Sequence, residues 1–519
     1  MRANRTVDIF IISLALILSF AIMMAAVHNN NFSFTMDQGR DMVDIRHMVV
    51  TTTPRLVGPT TSINGVLLGP SWYYFLLPAF LLGGGNPAAL VIWQIIWYQL
   101  SAVFLWWALS QKSRSLGLIT LVLYLFMPVG FNINRYFWNA NAMPIFTAFY
   151  FGSLYLSVLH PSVIKMLITG LLAGVALQIE AAFGIVFFPF AFLYSLITKQ
   201  KFKNLAFLTA GFITTLVPQI IFELRHGFIM TRVFLDEFSG KASVLGGKIT
   251  FAERAGERWQ ELVRRIIELS HSHPNTIMVV FSLCLLICLF ALLKKKSSAG
   301  QLSRLLLSFL VFTGTFYLLF PQHLKGWYLY GLSVPLIMII ACAFEFLLSL
   351  KNIFFNLLVI ILVSSQVIYA TLAQSEYLKQ VKSTPSNDPS NLHNQFTALD
   401  WVYANAGGEG FKAYNYIPSV YDYNYHYLYW WYGAKAYGYH PSEVAYLPNQ
   451  PEYIRDNPLL WTKAKPLRPD SPIFLLIETD KEMPIREQKW LGNFAHLCEQ
   501  GKTDFPFGLK AIKLQPCPK

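Results

Sequence analysis

For its first 373 residues the chain alternates long apolar runs with short polar connections, and then the pattern stops. Runs such as 7–27, 87–110 and 353–373 are long enough to cross a hydrocarbon core, which takes about 20 residues of helix. The pattern predicts about eleven spans, at 7–27, 87–110, 116–131, 142–159, 166–182, 184–199, 204–222, 275–293, 304–320, 328–349 and 353–373. The first follows Arg2 and Arg5 in the manner of a signal peptide. Its apolar run exceeds the roughly 7–15 residues of such a segment, so a retained anchor is expected. From about residue 374 the composition turns polar and rich in Tyr, Trp, Pro and Asn. Short β-type runs at 411–417, 473–477 and 509–514, with helical stretches between, predict one small α/β domain over 374–519.

Composition excludes the soluble classes. Of 519 residues 54% are hydrophobic and 13% charged, about half the charge of a soluble domain. A soluble globular protein, a coiled coil and a disordered chain are all ruled out, leaving an α-helical polytopic membrane protein. The net charge of +13 sits in short clusters between apolar runs. That is a topology signal rather than a nucleic-acid surface.

Segment 65–82, which carries Gly69, Pro70 and Pro78, decides the parity of everything after it. If it lies along the outer surface, one set of connections is cytoplasmic: Arg2, Arg5, Lys112, Arg114, Lys165, Lys199, Lys201, Lys203, Lys294–Lys296, Arg304 and Lys351. These are 13 of the 41 Lys and Arg, with only Asp8 and Glu345 as acids near that side. The positive-inside rule selects this arrangement. The N-terminus is then cytoplasmic and the tail extracytoplasmic. The loops 28–86 and 223–274 lie outside, and 65–82 is a juxtamembrane helix. Cys284, Cys288 and Cys342 fall in apolar runs, whereas Cys498 and Cys517 stand in the exported tail, where a disulfide is open to them.

The sharpest chemical signal is Met36-Asp37-Gln38-Gly39-Arg40-Asp41-Met42-Val43-Asp44-Ile45-Arg46. Asp37, Asp41 and Asp44 stand at i, i+4 and i+7, on one helical face, with Arg40 and Arg46 close enough to offset their repulsion. One reading is a solvated, salt-bridged helix. The other is a carboxylate base at the membrane–water boundary, where desolvation tunes its pKa. Glu180, near the end of an apolar span, is a functional candidate or a partner of Arg135. Arg225 and His226 at a span end, and His323, Lys325, Trp327 and Tyr328 before a late span, read equally as interfacial anchors or anion ligands. Asn134, Asn139 and Asn141 cap helices or line a pocket. The tail motif Tyr421–Trp431 is a stacking platform for a sugar or an ordinary core. No His/Asp/Glu cluster has metal-ligand spacing, and no metal or other cofactor is expected.

Asp37-Gln38 after the first span, then Gly69-Pro70-Ser71-Trp72-Tyr73-Tyr74 opening a second juxtamembrane helix, resemble the first outer loop of the C-type glycosyltransferase (GT-C) superfamily. The likeness is to glycosyltransferase family 39, with its protein O-mannosyltransferases and aminoarabinose transferases, and to a bacterial subgroup bearing Asp-Gln-Gly-Arg-Asp. Pro218–Phe228, Asn134–Asn141 and His323–Tyr330 match at later loops, so the resemblance covers residues 1 to about 350. It implies a GT-C fold of about eleven transmembrane helices and two outer juxtamembrane helices over 1–373. It also implies an inverting transfer of a sugar from a polyprenyl-phosphate donor to an extracytoplasmic acceptor. Asp37 is carried over as base, with Asp41 in reserve. Two departures stand out: Gln38 replaces the family's Glu, and Leu68-Gly69-Pro70 replaces a Lys-Pro-Pro motif. The donor phosphate then falls to Arg55, Arg225, His226, His323 or Lys325. Gln38, Arg40, Arg135, Asn139, Glu180 and Tyr328 are further pocket candidates. The alternatives are a transporter or lipid-handling protein, disfavoured by motif charge at span ends rather than mid-membrane, and an inactive relative that keeps the lipid groove.

Overall fold

A run of apolar residues with no polar partner for its backbone has one stable solution in a bilayer, the helix. The computed structural model follows it. It describes residues 2–63, 65–239, 249–293, 297–320, 322–383, 386–448, 454 and 457–517; the basic triplet 294–296 lies outside the described residues. Among these, eight helices are long and apolar enough to cross a membrane: Thr6–Asn30, Pro87–Ser110, Ala140–Leu159, Phe202–Arg225, Pro274–Ala291, Ser298–Leu319, Gly326–Ser349 and Ile353–Lys382. Three shorter apolar helices, Arg114–Leu125, Val163–Ile179 and Ala181–Ile197, occupy the other expected spans. The chain is a multi-pass membrane protein. Pro128 explains one shortening, because it has no N–H to continue a helix and instead opens a new one, Pro128–Ile133. Glu180 explains another. Its extended backbone (φ −148°) ends one helix, and its side chain accepts from Ala182 N to start the next. Val163–Ile179 and Phe202–Arg225 touch backbone to backbone, since a Cβ on Gly170 would lie 2.0 Å from Leu208 O. Small residues make such close crossings where lipid offers no hydrophobic drive.

The chain divides into two compact units. The first holds residues 1–25, 55–75 and 92–378; the second holds 26–54, 76–91 and 379–519. The 28–86 loop is thus shared out, and its helix Met36–Thr51 belongs with the tail.

The tail carries a five-stranded sheet of order β2-β1-β3-β5-β4. Its strands are β1 (Lys412–Tyr416), β2 (Glu443–Ala445), β3 (Ile473–Glu478), β4 (Leu497–Asp504) and β5 (Leu509–Pro516). β1 runs parallel to β2 and β3, and β5 pairs antiparallel with β3 and β4. One face packs Tyr414, Tyr416, Leu475, Ile477 and Leu514 against Trp490 and Phe494. The opposite face packs against the helix Leu392–Ala406, whose Trp401 meets Phe474 at 6.1 Å, and meets the covering helix Tyr423–Tyr432, whose Tyr425 hydroxyl donates to Glu478. Burial on both faces is why β3 reads as a continuous apolar run. Cys498 and Cys517 form a disulfide that ties β4 to the end of β5.

Asp422 precedes this covering helix, fully buried, and accepts from Asn415 Nδ2 at 2.6 Å. Burial pushes its pKa up to about 7, against about 3.9 in an unfolded chain. An acid with a raised folded pKa costs stability as pH climbs from the unfolded value to the folded one, and the full cost persists above. Asp422→Asn keeps the acceptor for Asn415 and removes the cost. It is expected to raise the unfolding midpoint of the purified protein more at pH 8 than at pH 5. An equal shift at both would show that burial does not govern this carboxyl.

Candidate active site

The helix Met36–Thr51 opens with a capping box: Gln38 Oε1 accepts the Thr35 N–H at 2.8 Å and the Thr35 hydroxyl at 2.6 Å. A neutral amide oxygen meets these donors as well as a carboxylate does, which accounts locally for Gln where the family has Glu. Arg40 then bridges two acids. Its Nη1 donates to Asp37 Oδ1 at 2.9 Å, while Nε and Nη2 donate to Asp41 Oδ1 at 3.0 and 2.9 Å. The two carboxylates differ in access. The Asp41 side chain is fully buried, whereas that of Asp37 is 33% exposed. Asp37 is therefore the acid that can meet a substrate, and Asp41 the one that fixes Arg40.

The same helix is seated on Tyr423–Tyr432. Gly39 touches it directly: a Cβ there would lie 2.2 Å from Asn424 N and 2.6 Å from Tyr423 C. Two turns on, fully buried Arg46 reaches His426 Nδ1 (3.4 Å to Nη1) and sits over the rings of Trp430 (5.3 Å) and Trp461 (6.0 Å). Burial, and then the Arg46 charge, hold the His426 pKa well below its ordinary value. Its neutral ring accepts from the guanidinium, which fixes the tautomer. The aromatic tail motif is thus mostly core, with Tyr425, Tyr427 and Tyr429 buried.

In the first unit, four segments distant in sequence converge. The stretch 58–63 is joined to 65–68 by the Thr60–Leu67 bridge. Its Ser62 hydroxyl lies 2.9 Å from the Tyr328 hydroxyl and accepts from Lys325 Nζ at 3.2 Å. Lys325 lies over Trp327, and Trp327 packs on Trp138 at 5.8 Å. Asn139 beside it donates to Glu180 Oε2 at 3.2 Å. Arg135 instead lies over Tyr377 (3.5 Å) and donates to Gln374 at 3.3 Å. Arg55 contributes its carbonyl oxygen to the Tyr74 hydroxyl.

Arg225 and His226 lie exposed at the end of their helix, with His226 stacked on Phe222 at 4.1 Å. The acid of that motif has a clear local task. Glu223 accepts from the N–H groups of Met230 (3.0 Å) and Thr231 (2.9 Å) and starts the next helix, Ile229–Ser239.

Sequence reasoning passed over the helix Phe251–Ile267. Its signature was present in Thr250…Glu253, a capping box that both residues complete. Arg254 and Arg258 donate to the carbonyls of Tyr317, Leu318, Leu319, Phe320 and Gln322, at the end of the Ser298–Leu319 helix. The last carbonyls of a helix lack intrahelical partners, and arginine supplies them here. Glu257 accepts from Leu324 N at 2.9 Å and lies 3.6 Å from His323 Nδ1. Arg264, its side chain 58% exposed, pairs with Glu261 at 3.2 Å and adjoins Gly326. Lys325 and Arg264 thus flank one glycine, near the hydroxyls of Ser62 and Tyr328. Two cations with two hydroxyls suit a phosphate dianion.

Solved structures share this fold. ArnT from Cupriavidus metallidurans in the apo state matches with a TM-score of 0.59 and 11% identity, covering 99% of this chain and 98% of that one. ArnT from the same organism bound to undecaprenyl phosphate matches with a TM-score of 0.57 and 12% identity, covering 97% of each. The fold is the GT-C arrangement expected from the sequence. No protein-family model and no curated protein matches the chain.

Proposed function

We propose that the protein is an inverting glycosyltransferase of the cell membrane, passing a sugar from a polyprenyl-phosphate carrier to an extracytoplasmic acceptor. The observation that carries this reading is the fold shared over nearly the whole chain with ArnT, of which one structure holds undecaprenyl phosphate. The acceptor oxygen bonds to the sugar's anomeric carbon, the bond from that carbon to the phosphate oxygen breaks, and the acceptor proton passes to Asp37. The lipid phosphate leaves as a dianion. Lys325 and Arg264, with the Ser62 and Tyr328 hydroxyls, are assigned to that charge, because cations aimed at developing charge lower the barrier most. Arg40 orients Asp37 through the bond from its Nη1 to Oδ1. The tail faces the extracytoplasmic side, a reading supported by the Cys498–Cys517 disulfide, since such bonds persist in oxidising compartments.

A ligand that binds only the folded protein stabilises it by about 2.7 kcal/mol at a hundred times its Kd. Undecaprenyl phosphate is therefore expected to raise the unfolding midpoint of the purified protein, and Lys325→Ala with Arg264→Ala to cancel that rise. A rise left intact in the double variant would remove these two residues from the phosphate site.

A further inference from the structure

Between the Phe202–Arg225 and Pro274–Ala291 helices, both long enough to span, lie the helices Ile229–Ser239 and Phe251–Ile267. In a water-soluble fold an amphipathic helix turns its apolar stripe inward and its charges out. Phe251–Ile267 departs from this in part: Ile266 is buried and Glu253 and Arg264 are exposed, but much of the pattern is turned round. It buries Arg258, Glu261 and Arg265 and exposes Phe251 (62%) and Trp259 (61%), with Val263 next on the same stripe. The inward turn follows from the carbonyl contacts of Arg254 and Arg258 described above, which hold the charged side against the Ser298–Leu319 helix end. Ile229–Ser239 likewise exposes Leu235 (60%). Large apolar side chains left in water forfeit about 25 cal/mol for each Å² they would bury, and a stripe of them marks a contact surface.

We propose that these two helices lie in the headgroup–acyl boundary of the bilayer, with Trp259 and Leu235 inserted into the leaflet. Continuity with the spans names the occupant. Only residues 226–228 separate Arg225 from Ile229, and only 268–273 separate Ile267 from Pro274. At about 3.4 Å per residue, those links keep each helix near the level at which its span leaves the hydrocarbon. Tryptophan is enriched at that level, and an in-plane helix with an aromatic face and a charged opposite face is the form that binds there.

The test uses full-length protein in vesicles of phosphatidylcholine and phosphatidylglycerol, with bimane attached at Trp259→Cys, Leu235→Cys or Glu253→Cys. Three native cysteines are buried and two are in the disulfide, so unmodified protein serves as the unlabelled control. Acyl chains brominated near the headgroup are expected to quench the labels at 259 and 235 at least twofold more than the label at 253. Aqueous iodide is expected to show the opposite order. Iodide quenching at 259 equal to that at 253 would overturn the proposal. Protection of 259 from both quenchers would overturn it too, by showing that protein, a second copy included, covers the stripe. Both readouts are independent of sugar transfer and stand apart from the proposed activity.

Discussion

Asp37→Asn is expected to abolish sugar transfer while membrane insertion and the unfolding midpoint stay at wild-type values. The amide has the shape of the carboxylate but cannot take a proton, and positioned bases contribute about 10²–10⁴-fold. Stability is spared because Arg40 keeps its two bonds to buried Asp41, and Asp37 is the partner nearer water. Asp41→Asn should instead lower the unfolding midpoint, since the fully buried carboxylate that takes two of Arg40's bonds is lost and only the part-exposed Asp37 remains to it. Activity and melting measured on both variants separate the two acids. Wild-type turnover in Asp37→Asn would remove it as the base.

Gly39→Ala is expected to lose about as much activity for a different reason. Its new Cβ would meet Asn424 N at 2.2 Å and Asn424 Cα at 2.5 Å. These are backbone atoms, so no rotamer change makes room, and the Met36–Thr51 helix must lift from its seat. Overpacking of this kind costs about 1–3 kcal/mol, and a displacement of about 1 Å at a catalytic group costs on the order of 10²-fold in rate. The variant should therefore melt lower as well as turn over slowly, whereas Asp37→Asn should only turn over slowly. A Gly39→Ala protein with native melting and native rate would mean the two helices are not held this closely.

What could be read from the chain follows from where the partners of each residue lie. Spans were legible because apolarity is local, although Pro128 and Glu180 cut two of them shorter than hydropathy alone suggests. Three strands of the tail were legible as short β-type runs. β4 was not, because Leu-Cys-Glu-Gln-Gly-Lys-Thr-Asp is an edge strand with little to bury, and β2 is only three residues long. The three-acid spacing of the Asp37 helix was plain, but not the division of labour between Asp37 and Asp41, which burial decides. Arg46 read as a neighbour of those acids. Its cage of His426, Trp430 and Trp461 lies some 380 residues away. The arginines of Phe251–Ile267 were passed over for the same reason, since the carbonyls they serve end a helix about 60 residues later.

The most direct measurement is the release of polyprenyl phosphate. Purified protein in lipid nanodiscs would be incubated with a panel of polyprenyl-phosphate sugars and a cell-envelope acceptor fraction, and the freed lipid phosphate quantified by mass spectrometry. Release from at least one donor by the native protein, and none from that donor by Asp37→Asn, is the expected result. No release from any donor, or equal release by the two proteins, would contradict the proposed reaction.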